Sequence, residues 1–300
     1  MANTPVTMPA VRRDRTRIRE AGVGVAFILP SILGCFIFVV IPFGDAIRRS
    51  FTHGLQGAFA GLENYVGIFG NASFQQASVN TLRFIALCVP LLVICSLGLA
   101  MLLSKPLTGQ GALRAAFLLP MAIPVASVAM LWQVLFHGNG LINSLLSVFS
   151  LSPVDWMRTD YALLCLVVSY LWKNTGYTMV LFLAGLGGIS PALYEAAAVD
   201  GAGPWRRFSS ITWPCLRPTL FTVTVLSLLN TFKAYREAWL VAGNYPQGSI
   251  YLLQHTLNNW FTALEIEKLC AAAVVIALII LGLVGLLNRA WIIRAREEEP

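Results

Sequence analysis

The sequence predicts an all-α polytopic membrane protein of six transmembrane helices with both termini in the cytoplasm. Three observations carry that prediction: the composition, the spacing of the apolar runs and the distribution of positive charge. Of 300 residues, 57% are AVILMFWYC and only 12% are DEKR. Mean hydropathy is +0.71. A soluble domain carries about 25% charged residues, and one soluble core cannot hide this much apolar surface. A soluble enzyme, a disordered chain, a collagen-like repeat and a disulfide scaffold are all excluded.

Residues 1–21 read as a basic cytoplasmic tail, 22–293 as the transmembrane domain and 294–300 as a C-terminal tail. A bilayer core of about 30 Å needs roughly 20 apolar residues in a helix. Runs of that kind fall near 22–43, 82–103, 113–136, 161–186, 219–241 and 269–293. The fourth contains Lys173. The fifth is strong only from Thr219 to Phe232, then meets Lys233, Arg236 and Glu237. Helices rather than barrel strands are expected, because the runs lack strand alternation.

Charge settles the count. With the N-terminus inside, six spans place 13 of the 21 Lys and Arg residues on the inner side. Five are in the N-tail from Arg12 to Arg19. Lys105 and Arg114 lie in the first inner loop, Arg206, Arg207 and Arg217 in the second, and Arg289, Arg294 and Arg296 at the C-terminus. Four fall outside, at Arg48, Arg49, Arg158 and Lys268. This satisfies the positive-inside rule. Dropping the fifth span would put the C-terminal arginines outside. The net charge of +7 is therefore an orientation signal and implies no nucleic-acid partner. Ile32-Leu33-Gly34-Cys35 looks like a lipoprotein cleavage box, but the apolar run continues to Phe43, so an uncleaved first span is expected.

No phosphate-binding GxxxxGK[ST] loop occurs, and no HExxH or GxSxG motif. The six cysteines form no CxxC pair, and the three histidines are far apart, so neither metal nor cofactor is expected. Only Glu237 among the acidic residues is placed at membrane depth. An ion-coupled carrier would want more buried ionisable groups than that, and an inverted repeat, which is not evident. The chain reads as a non-catalytic pathway that borrows its energy.

The loop 187–218 is the most informative segment. Ser190 suits an N-cap, Pro191 the first helical position, and Gly201 a left-handed C-terminal position. Pro204 opens a second short helix, which Pro214 and Pro218 punctuate before the fifth span. Small alanine side chains suit close docking into a groove on another protein.

Here the sequence resembles a known family. Glu195-Ala196-Ala197, three residues, Gly201, nine residues, Ile211, one residue, Trp213-Pro214 follows the signature of ABC-importer permeases, with Trp213 where leucine is usual. The Asp200-Gly201-Ala202 context and six-span layout look most like the sugar-type permeases of the maltose and glycerol-phosphate systems. Gly61-Leu-Glu-Asn-Tyr65 resembles a GLxNY stretch common after their first span. The resemblance implies a type I ABC-importer permease fold in a bacterial plasma membrane. It implies a second homologous permease subunit, a cytoplasmic ABC ATPase dimer and an extracellular solute-binding protein as partners, with a sugar or oligosaccharide as solute. Glycerol-3-phosphate or another polar solute, or less readily a secondary carrier, is the alternative. Glu195, Ala196, Ala197, Asp200, Gly201, Ile211 and Pro214 would form the coupling element that meets the ATPase.

Two spans carry polar faces. Ser169, Trp172, Lys173, Gly176 and Tyr177 share one helical face of span 4; Asn230, Lys233 and Glu237 share one of span 5. Charge in hydrocarbon costs about 2.5–3.5 kcal/mol on insertion scales, so both faces should turn towards a pathway or a partner helix. Lys233 and Glu237 could pair. Trp172, Lys173, Tyr177, Asn230, Lys233, Tyr235 and Glu237 are the pathway candidates, since aromatic rings beside polar groups suit sugars. The competing reading is a set of interfacial anchors. The loop from Gly243 to Trp260 is polar and aromatic, and could face a binding protein outside.

Overall fold

The computed structural model describes residues 13–54, 57–106, 108–243, 245–246 and 248–296, and the side chains of all of these except 13–22, 233, 241 and 290–296. The chain is helical nearly throughout. The first helix, α1 (Arg13–Cys35), passes through one π-helical turn at Phe36–Val40 into α2 (Ile41–Ser50). Residues 23–49 bury no side chain; only the α2 end packs, against the last helix. A two-residue antiparallel ladder then pairs Thr52 with Phe59 and His53 with Ala58.

The short helix α3 (Glu63–Gly70) follows, and here the GLENY segment acquires a physical role. Asn64 is buried and its Nδ2 donates to the carbonyls of Ser50 at 3.0 Å and Thr52 at 2.9 Å. Tyr65 Oη lies 2.7 Å from Ser50 Oγ, and Glu63 meets His53 at 2.7 Å. Together these bonds close the exit of the first span onto the body.

The body is built on α4 (Ala72–Leu103) and α8 (Ala162–Gly187), which pack along much of their length. Around them lie α5 (Gln110–Ala122), α6 (Val125–Leu135), α7 (Leu141–Val148), α11 (Trp213–Thr231), α12 (Tyr235–Ala242), α13 (Leu253–Thr262) and α14 (Ile266–Arg296). Phe84, Leu92, Leu166, Tyr170 and Ala238 fill the core where α4, α8 and α12 meet. Leu97, Leu103, Met179, Phe182 and Leu216 fill it nearer the α8 C-terminus.

Four helical runs among the described residues are long and apolar enough to cross a membrane, or up to six if each bent pair counts as one span. The differences from the expected spans have local causes. The second run begins at Ala72 rather than 82. The third is not one helix: α5 and α6 meet at 97°. Ile123 precedes Pro124 and is extended, at φ −76° and ψ 129°, because the proline ring disfavours helical backbone before it. The fifth span does not start after a punctuated loop. The helix α10 (Pro204–Arg207) runs through a π-helical turn, Phe208–Thr212, straight into α11. Pro214 follows directly on that π-helical turn, the kind of local irregularity at which a continuous helix takes up a proline. The same run tightens into a 3₁₀ turn at Phe232–Ala234 before α12.

Candidate functional site: a projecting helix and a buried ion pair

The segment carrying Glu195-Ala196-Ala197 folds as α9 (Pro191–Val199), which leaves the end of α8 at an angle of 66°. Ser190 occupies the N-cap position but makes no side-chain capping bond; its carbonyl accepts from Leu193 N at 3.2 Å instead. The C-terminus is closed as the sequence expects. Gly201 has φ +72°. Ala202 N donates to Ala197 O at 2.8 Å and Gly201 N to Ala198 O at 3.1 Å. This is the double-bonded helix end that needs a left-handed residue.

None of the α9 side chains is buried. Glu195, Ala196 and Asp200 are exposed, and neither carboxylate makes an ion pair among the described residues. Exposed apolar groups flank them: Leu193 at 47%, Val199 at 88% and Trp205 at 78% exposure. The helix is held from behind. Tyr194 Oη lies 2.9 Å from Thr212 Oγ1, Arg207 Nε donates to Ala202 O at 2.7 Å, and Ile211 packs into the core beside Leu216. Pro214 is half-buried behind that contact. A fixed helix with a bare, partly apolar outer face is built to meet something else.

The polar face of α8 meets other helices of the chain. Lys173 Nζ donates to Glu237 Oε1 across to α12 at 2.6 Å, with side-chain exposures of 17% and 12%. Glu237 is thus paired with Lys173, and the expected pairing with Lys233 falls on a side chain that lies outside the described residues. Trp172 packs edge to face on Trp132 of α6, ring centroids 5.7 Å apart. Tyr170 Oη donates to Ser227 O of α11 at 2.9 Å. Gly176 lies against α5 so closely that a Cβ there would stand 1.8 Å from Phe117 O. Tyr177 and Asn230 are half-buried and make no side-chain hydrogen bond among the described residues. Tyr235 turns to the opposite side and meets the His255 ring edge to face at 4.7 Å.

The structure thus separates the sequence candidates. Lys173 and Glu237 come together, Trp172 packs against α6, and Tyr235 belongs to a separate cluster around His255. Trp132 and Gln133, whose Nε2 donates to Leu240 O of α12 at 3.3 Å, were not anticipated. The proline pair at 120 and 124 was the available signal, since the bend it makes turns α6 towards α8 and α12.

Comparison with known proteins agrees with this architecture. The model of the family described as "Binding-protein-dependent transport system inner membrane component" matches residues 93–297. The trehalose/maltose transport system permease protein MalF of Thermococcus litoralis is 32% identical over 254 residues, covering 83% of this chain and 86% of that protein. The sn-glycerol-3-phosphate transport system permease protein UgpA of Pectobacterium atrosepticum is 30% identical over 279 residues, covering 90% and 94%. A subunit of a bacterial ABC transporter involved in the import of the acidic polysaccharide alginate superposes with TM-score 0.81 at 23% identity, over 93% of this chain and 98% of its own, which shows the shared fold. With its several apolar helices, this is a multi-pass membrane protein, and it belongs to the family of binding-protein-dependent transport system inner membrane components.

Proposed function

We propose that this chain is the permease subunit of an ATP-driven importer for a sugar or oligosaccharide. It forms six spans in a bacterial plasma membrane, with both termini and the α9 loop cytoplasmic. A second homologous permease subunit completes the pathway, an ABC ATPase dimer docks on α9, and an extracellular solute-binding protein delivers the solute. The observation that carries this reading is α9 itself, which combines no buried side chain, the Glu195-Ala196-Ala197 sequence and a Gly201-dependent end. The MalF relative supports a sugar, and a solved alginate transporter of this fold carries an alginate pentasaccharide-bound periplasmic protein. The UgpA relative favours glycerol-3-phosphate as the competing solute.

In this scheme closure of the ATPase moves α9, and α8, continuous with it, carries the motion to the Lys173–Glu237 pair. Tyr177 and Asn230 line the pathway; Trp172, Tyr235 and the ion pair set the positions of its helices. Replacing Tyr177 with alanine should raise the apparent transport constant, and an unchanged value would remove it from the wall.

The test uses the tagged chain purified with its complex from native membranes and reconstituted with its binding protein. ATP-driven uptake is expected, with a sugar as the ligand that raises the binding protein's melting temperature. Gly201→Asp is expected to abolish uptake while ATP hydrolysis continues. A Cβ at Gly201 meets no heavy atom within 4 Å, so only the φ of +72° opposes the change and the helices stay folded. Normal uptake by that variant, or a complex without an ATPase, would overturn the reading.

A further inference from the structure

Behind α9 lies a cavity of about 450 Å³, between the end of α4, the start of α5, the end of α8 and the π-helical turn. Its walls are of two kinds. Met101, Leu183 and Leu186 are apolar, whereas Lys105 and Arg114 bring two cations to one side and the Tyr194–Thr212 hydroxyl pair faces it from the other. No Asp or Glu lines it, and neither cation has an ion-pair partner among the described residues.

Arg114 is held in place but not satisfied. Its Nη2 donates to Leu103 O, the last carbonyl of α4, at 3.0 Å, and Gln110 Nε2 donates to the same oxygen. Arg114 Nε is shut away from solvent with no acceptor. A guanidinium has five N–H donors, and one of those of Arg114, on Nη2, meets a protein acceptor among the described residues. Two uncompensated cations sharing one cavity repel each other, and a buried donor without an acceptor is costly. One anion with several oxygens in the cavity offsets the two positive charges, and phosphate matches the guanidinium fork better than a single charge does.

We propose that this cavity binds the phosphate group of an anionic ligand, held by Lys105 and Arg114. The phosphate bridges α4 and α5 to Tyr194 of α9, and so fixes the projecting helix against the bundle. The chemistry of the cavity does not depend on orientation. That the phosphate belongs to a lipid of the inner leaflet or to a cytoplasmic solute rests on the orientation proposed above.

The experiment uses the full chain in detergent, titrated with dioctanoyl phosphatidylglycerol, dioctanoyl phosphatidylcholine or inorganic phosphate. Binding is followed by native mass spectrometry for the lipids and by thermal shift for phosphate. The variants are Lys105→Gln, whose side chain makes no hydrogen bond among the described residues, and Arg114→Lys, which keeps the charge but loses the fork. Binding at least about tenfold weaker in both is expected, since each removes charge-assisted bonds. Loss confined to phosphatidylglycerol identifies a lipid headgroup, and loss confined to inorganic phosphate identifies a soluble ligand. Equal binding by wild type and Lys105→Gln, or no binding of either probe to wild type, overturns the site. ATP-driven uptake by the reconstituted complex is measured separately. Failure of the site leaves uptake in place, and failure of the importer reading leaves Lys105-dependent binding in place.

Discussion

The Lys173–Glu237 pair joins two helices inside the bundle. Its ends belong to α8 and α12, which are separated in sequence by the α9 loop and α11. At 2.6 Å and an effective dielectric constant of about 20, unit charges this close attract by about 6 kcal/mol. Removing two such groups from water costs several kcal/mol each, so the intact pair is close to neutral in net stability. Breaking it is a different matter. Lys173→Met leaves Glu237 buried without its Lys173 partner, while its Oε2 already lacks a partner among the described residues. The expected loss is about 3–5 kcal/mol. The double variant Lys173→Met with Glu237→Gln removes both charges and should recover most of it. Thermal unfolding of wild type, both single variants and the double variant in one detergent forms the cycle. If Lys173→Met alone proves as stable as the double variant, the pair is not a buried pair in the folded protein and the argument collapses.

Other consequences follow from packing and protonation. Gly176→Ala should destabilise the protein by up to about 3 kcal/mol, because the added Cβ meets the Phe117 carbonyl of α5, which cannot turn aside. Gly185→Ala should cost less, because its closest contact, 2.4 Å, is the Thr219 hydroxyl, a side chain that can rotate; melting temperatures in the reverse order would contradict this. His255 lies between the last two apolar runs and is fully buried, with Nδ1 accepting from Leu252 N at 3.1 Å. Burial pushes its imidazole down from 6.5 to about 4. The folded state therefore resists protonation. Its contribution, about 3 kcal/mol, is full above pH 6.5 and fades as pH falls towards 4, with about 2 kcal/mol gone at pH 5. Melting followed from pH 7 to 5 should show that slope, and His255→Leu should flatten it.

Much of this fold is legible in the sequence, and the illegible parts share a physical cause. Apolar runs locate the four to six candidate membrane helices, because lipid allows the backbone few other solutions. The Gly201 helix end is legible because glycine adopts its left-handed backbone angle without steric cost. The bend between α5 and α6 is written in Pro120 and Pro124 but is hidden by a hydropathy window, which counts proline as merely less apolar. The partner of Glu237 is another matter. Periodicity places Lys173 and Glu237 on inward faces, yet the nearer cation in sequence is Lys233. That Lys173 reaches it depends on how α8 and α12 lie against each other, which no local pattern records. The same holds for Trp132, an unremarkable residue of an apolar run until the bend at 123 turns α6 towards Trp172.

These contacts also decide where the bundle can yield. The 26 residues of α8 span about 39 Å at helical rise. At one end α8 continues into α9, and Gly188 N bonds back to Ala184 O and Gly185 O at 3.2 Å, so the joint is closed rather than loose. Along the shaft α8 packs on α4, and such close-packed contacts shift as units rather than stretch. The interruptions lie elsewhere, at the 3₁₀ turn Phe232–Ala234 and the break at Ile123–Pro124. A push on α9 should therefore move α4 and α8 together with α12, which the Lys173–Glu237 pair and the shared core tie to them, and change their relation to α6. Spin labels at exposed Val168 on α8 and Met130 on α6 should change separation when nucleotide is added to the assembled transporter. Labels at Val168 and Ile94 on α4 should not. A nucleotide-dependent change between α8 and α4, with α8 and α6 fixed, would place the hinge inside the packed core and refute this mechanics.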